Sequence, residues 1–190
     1  ETMLGSADQA NKLLKDLSQM AKTTPFSLEG IEMSAKQLLA MGIETDRLLP
    51  TLKSLGDVSA GVSVPLDRLA YNFGQVKTQG HLTGVELKDF NRMGVPIIQE
   101  LAKNLDVTES EIKDMVAAGK IGFSDVEYAF TTMTSEGGKF FDLMERQSQS
   151  LQGQIERLKD EIQLLFRDIG QHLLPAAKSF VDFIASEVIP

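Results

Sequence analysis

No cysteine occurs among the 190 residues, so structural disulfides, thiolate metal sites and cysteine nucleophiles are excluded. That absence fits a protein made in a reducing compartment. Histidine is scarce as well. His81 and His172 stand far apart with no partners at ligand spacing, which leaves a zinc site or a histidine-based nucleophile relay without support. Both read as ordinary polar positions, because catalysis requires groups that converge. Basic charge is in deficit, with 19 Lys and Arg against 27 Asp and Glu for a formal charge of -8. Broad binding to nucleic-acid phosphates comes mainly from Lys and Arg releasing counterions, so this balance argues against it, and it disfavours anionic membranes too. Long apolar runs are missing: no stretch reaches the ~18 residues of a membrane span. Residues 1–25 lack the basic-then-apolar layout of a secretion signal. A soluble chain with no cofactor and no membrane or direct nucleic-acid partner is expected.

Other chemistry is equally thin. The glycines near Gly61, Gly119 and Gly137 lack the Gly-Lys-Ser/Thr ending of a phosphate loop and read as turns. Glu109, Glu111 and Asp114 form an acidic cluster, but the first two fall in a helix's first turn, where negative charge complements the dipole. Glycosidase-like chemistry needs two carboxylates facing each other across a cleft. No enzyme is expected. The length suffices for one domain with a real core or for two small helical units. The chain opens at Glu1 without an initiator methionine and stops at Ile189-Pro190, from which we expect a section of a longer polypeptide.

Apolar residues recur at helical spacing almost throughout, and no stretch alternates apolar and polar residues long enough to require a strand, so the fold class is all-α. A first helix places Ala10, Leu13, Leu14, Leu17, Met20 and Ala21 on one face and ends at the Thr23–Phe26 turn. A second starts at Ser27, carries Ile31, Ala35, Leu38 and Leu39, and has Gly42 where a left-handed cap is wanted. Thr45 is expected to cap a short third helix with Leu48, Leu49, Leu52 and Leu55 inward, Pro50 tolerated near its start and Gly56 at its end. A turn centred on Gly61 follows. Pro65 opens a fourth helix with Leu66, Leu69, Ala70, Phe73 and Val76 on one face, and Pro96 another with Ile97, Ile98, Leu101, Ala102 and Leu105. Three capping boxes, Thr83/Glu86, Thr108/Glu111 and Ser124/Glu127, each mark a helix start. We therefore expect residues 1–136 to form a compact bundle of about eight short helices.

The pattern changes after Gly137-Gly138, where a boundary is expected. From Phe141 through Met144, Ser148, Leu151, Ile155, Leu158, Ile162, Leu165 and Ile169 the steps alternate between three and four, which is heptad spacing. Residues 139–190 should therefore form a second, long helical segment. A helix from Phe140 to His172 would extend about 50 Å at 1.5 Å per residue. Pro175 should break it, leaving a short terminal helix with Phe180, Phe183, Ile184 and Val188. Glu156, Arg157, Lys159, Asp160 and Glu161 flank the seam with mixed charge, suited to a solvated face or to pairing with a partner. Each large aliphatic side chain buried is worth about 1.5–3 kcal/mol, so an uncovered seam would be an aggregation hazard. Either the chain's own helices cover it or another molecule does. The candidate partner-packing seam is Leu151, Ile155, Leu158, Ile162, Leu165 and Ile169.

Several stretches, taken in order, resemble a known family. They run from Thr24–Leu28 and Leu38–Ile43 through Leu52–Gly61, with Asp57 among them, and Phe73–Lys77 to Gly80. They continue through Glu86–Leu101, Gly119–Glu127 and Gly137-Gly138 to Gln147-Ser148. This set is similar in order and spacing to the tape measure domain of phage and prophage tail proteins, over nearly the whole chain. The resemblance implies a structural part of a long-tailed phage, in which the parent protein lies inside the tail tube, sets its length during assembly and leaves when DNA is ejected. It implies residence in the virion tail lumen, and in the bacterial host cytoplasm during assembly. The implied partners are other copies of the chain and tail tube or assembly proteins, with a homo-oligomer possible through the C-terminal helix. No catalytic residue is carried over. The long repetitive ruler and very apolar segments of the full family are missing, so the chain resembles a flanking module. An alternative is a helical adaptor that positions a cell-wall-degrading module or binds another tail protein.

Overall fold

The computed structural model describes residues 7–151 and, beyond them, Gln154, Ile155 and Leu158. Eight helices follow in order: α1 Ala7–Thr23, α2 Leu28–Ala40, α3 Thr45–Val62, α4 Leu66–Gln79, α5 Gly84–Arg92, α6 Ile97–Leu105, α7 Glu109–Ala117 and α8 Phe123–Thr134. A further helical run covers 143–151, and 154, 155 and 158 are helical too. Among the described residues there is no strand, only an isolated antiparallel bridge between His81 and Gly122. The chain divides into two units, Glu1–Ser148 and Gln149–Pro190. Gly137-Gly138 thus forms a turn within the first unit, which continues to Ser148.

Local signals set most helix ends. The Ser27 hydroxyl accepts the Gly30 amide at 3.2 Å, satisfying one of the donors that the start of α2 leaves open. At the other end Gly42 takes φ +88° and its amide reaches the Leu39 carbonyl at 3.1 Å, while that of Ile43 reaches Leu38 at 3.0 Å. Leu38 and Ile43 are both buried, completing the apolar contact of a Schellman closure. Pro65 and Pro96 occupy the N-cap positions of α4 and α6, where a missing N–H leaves no intrahelical bond unmade. Thr108 and Glu111 form the full reciprocal box at the start of α7.

The third helix departs from the expected pattern. Glu44, not Thr45, stands at its N-cap, and it runs through Gly56 and Gly61 to Val62 instead of stopping and turning there. Its apolar repeat explains this: Leu48, Leu52 and Leu55 are followed by Val58, also fully buried, so the stripe continues past Gly56. Helix α8 departs as well. The box that opens it uses Asp125, whose carboxylate accepts the Gly122 amide at 2.8 Å, and not Ser124 with Glu127. The backbone at Phe123 is held to the Gly80 carbonyl at 3.0 Å, so the helix starts as soon as the chain leaves the His81–Gly122 bridge. Leu14, expected on the inner face of α1, is 50% exposed, while Leu13 and Leu17 are buried.

Helix α4 lies at the centre, against α2, α3 and α5, while α8 lies against α3 and α6. Phe73 of α4 meets Phe123 and Phe130 of α8 edge to face, with centroids 5.1 and 5.2 Å apart, and Phe90 of α5 is tilted against Phe130 at 5.5 Å. Such pairs add about 0.5–1.5 kcal/mol to the area they bury. Lys77 lays its ammonium 4.9 Å from the Phe123 centroid and 3.4 Å from the Glu44 carboxylate, tying α4 to the start of α3.

Candidate functional site

Two places in the compact unit gather polar groups. The first is a cavity of about 160 Å³ between α3 and α8, lined by Arg47, Thr51, Ser54, Glu127 and Thr131 among others. Arg47 and Glu127 close its rim as an ion pair at 2.6 Å. The Ser54 hydroxyl is 3.0 Å from both the Phe130 carbonyl and the Thr134 hydroxyl. These groups therefore fasten α8 to α3, and Glu127, expected in a capping box, works across the helices instead.

The second place is where the chain turns back after α8. Gly137 takes φ +82°, open to glycine at little cost, and the amide of Gly138 donates to the Ser135 carbonyl at 2.7 Å. A Cβ at Gly138 would overlap the carbonyl oxygens of Thr132 and Met133. The return brings the Phe140 amide to the Met133 carbonyl at 2.9 Å and buries the Phe140 ring. That ring and Leu143 fill the space beside Gly61, and the Met144 sulfur fills the space beside Gly56. Gly56 lies inside α3, where glycine costs about 0.5–1 kcal/mol relative to alanine, and Gly61 in its last turn; their missing side chains make a seat on the helix.

Asp57 sits in that seat, one turn before Gly61 on the same helical face. It is only 2% exposed, and its carboxylate accepts the Met144 amide at 2.9 Å. Burial pushes its carboxyl above the ordinary value, against the pull of the Met144 hydrogen bond and of Lys53, while Asp142 and Glu145 add to the rise. Glu86 and Glu111 are among the carboxylates that move the other way. Burial opposes ionisation of Glu86, but hydrogen bonds from the Thr83 hydroxyl and from Gln79 outweigh it. Glu111 is held low by the backbone amide and hydroxyl of Thr108. Asp57 and Gly61 are thus positions of contact within the chain. Their role was hidden in the sequence because glycine at the end of an apolar stripe reads as a terminator.

The expected seam separates into two parts. Met144 and Ser148 are buried in the compact unit, whereas Leu151, Ile155 and Leu158 are 43%, 53% and 56% exposed. The helical run begins at 143 and not at Phe140, because Asp142 adopts a left-handed φ of +57° that no helix continues. Ile162, Leu165 and Ile169, the break at Pro175 and the terminal helix fall outside the described residues. So does His172. His81 is exposed, with Nδ1 3.1 Å from the Gln79 carbonyl. Among the described residues no three His, Cys, Asp or Glu side chains are grouped to hold a metal, and no helix is long and apolar enough to cross a membrane.

The family model described as tape measure protein matches residues 1–171. The chain belongs to that family. The match takes in the whole compact unit with its Asp57–Met144 closure, and it continues past the exposed Leu151, Ile155 and Leu158. Tape measure proteins are structural components of phage tails, so an all-helical unit held together by packing is set within a tail protein. Comparison with curated proteins and with solved structures gave no match.

Proposed function

We propose that this chain is a folded module flanking the ruler of a tape measure protein, and that it acts in tail assembly and length determination by anchoring or organising copies at one end of that ruler. The proposal includes a place in the tail lumen of a phage or prophage particle, reached from the host cytoplasm during assembly. Its partners are other copies of the chain and tail tube or assembly proteins. The observation that carries the reading is the way the compact unit ends. The last segment is fastened to α3 through Met144 and Asp57, and beyond it the helical residues Leu151, Ile155 and Leu158 are exposed at steps of four and three. Apolar side chains at that spacing are the seam of a coiled coil. We propose that Ile162, Leu165 and Ile169 extend it.

The test is removal of residues 1–136 from the full-length protein, followed by electron microscopy of the particles formed. An anchoring module predicts that tails fail to form. Tails shortened in proportion to the residues removed would mean that this segment is part of the ruler itself.

A further inference from the structure

The helical run that starts at 143 is entered through a residue in the left-handed conformation. Asp142, which precedes it, holds φ +57°, far from the extended backbone of an N-cap, where a side-chain oxygen turns back onto the second or third amide. The first four amides of a helix have no partner within it and need one from elsewhere. For Met144, second in the run, that partner is the Asp57 carboxylate, 87 positions away in sequence, at 2.9 Å. We infer that Asp57 is the N-cap of the downstream helix, supplied from α3, so that the first turn of this helix forms only on a closed compact unit.

Three further observations support this. The seat is shaped for the incoming chain, with Gly56 against the Met144 sulfur and Gly61 against Phe140 and Leu143. The approach is fixed, because the Phe140 amide is bonded to the Met133 carbonyl at the end of α8. The Met144 amide at the helix N-terminus also pulls towards the ionised carboxylate, offsetting part of the cost of burying its charge. Starting a helix is its costly step, since several residues are fixed for one hydrogen bond. A cap borrowed from a folded neighbour therefore sets an order, in which the unit closes first and the downstream helix grows from it. The inference concerns the chain itself and stands whether or not the downstream helix serves as a tail anchor.

Hydrogen exchange of the full chain tests it, comparing Asp57→Ala, Asp57→Leu and Asp57→Asn with the wild type. Alanine removes the acceptor, leucine removes it while filling its volume, and asparagine keeps a carbonyl acceptor without the charge. Loss of the cap should speed exchange of the Met144 amide about ten-fold in the first two variants and by less than about three-fold in the third, with the amides of α4 unchanged. Two results would overturn the inference. One is unchanged protection of Met144 in both acceptor-free variants. The other is a uniform rise through α4 and α8 in both, which would make Asp57 a support of the whole fold instead of a cap.

Discussion

The rings of Phe73 and Phe130 meet edge to face at 5.2 Å, joining the central helix α4 to α8, and both are almost fully buried. Phe130 also touches Phe90, so one side chain links three helices. Phe130→Ala should cost about 3–5 kcal/mol, the range for removing a buried aromatic side chain. Tyr128→Ala, two residues earlier but 58% exposed, should change stability by less than about 0.5 kcal/mol. Urea denaturation of the two variants checks the contrast.

Gly61 gives a test whose sign matters. In an open helix Gly→Ala gains about 0.5–1 kcal/mol, but here the new Cβ would overlap the buried Phe140 ring and the Leu143 side chain. Gly61→Ala should therefore destabilise by about 1–3 kcal/mol, as overpacking does. Gly84→Ala, with nothing within 4 Å of the added carbon, should be neutral or stabilising by up to about 1 kcal/mol. Thermal or urea unfolding of each variant decides between the two environments.

Two carboxylates predict opposite pH trends. The folded state raises the Asp57 pKa above its ordinary 3.8. The folded protein therefore holds that proton more tightly than the unfolded chain, and stability from this group is present below the unfolded pKa and lost as pH rises through the folded one. Glu111 is lowered from 4.5, so its contribution is present above that value and lost as pH falls through the folded pKa. Unfolding midpoints measured between about pH 3 and pH 7 should show Asp57→Asn gaining on the wild type as pH rises. Glu111→Gln should lose ground over the same direction.

The parts of this fold that follow local rules were legible in the sequence. Ser27, Gly42, Pro65, Pro96 and the Thr108/Glu111 box act within a few residues of themselves, and each stands where the spacing put it. What could not be read locally were the contacts between distant segments. Gly56 and Gly61 look like stops until Met144 and Phe140 arrive beside them, and Asp57 reads as cap and turn chemistry until the Met144 amide meets it. Glu127 likewise reads as part of a local box because its partner Arg47 lies on another helix. The continued apolar repeat at Val58 and Val62 was the one local sign that α3 runs on.

The exposed part of the seam predicts self-association. Light scattering of the full chain should give the mass of more than one copy, and replacing Leu151, Ile155 and Leu158 together with Asn should reduce it to one. Because the chain has no cysteine, Leu158→Cys also provides a unique thiol whose oxidation reports on pairing between copies. A wild-type chain with the mass of one copy, and no disulfide-linked dimer from Leu158→Cys, would speak against partner packing through these positions.

The most direct test of the account is the tail-length distribution of phage carrying Phe73→Asp in the tape measure gene, measured by electron microscopy. This change buries a charge at the centre of the compact unit and leaves the number of residues unaltered. An anchoring module predicts that assembled tails are lost although the ruler keeps its length. Tails of normal number and normal length would contradict it.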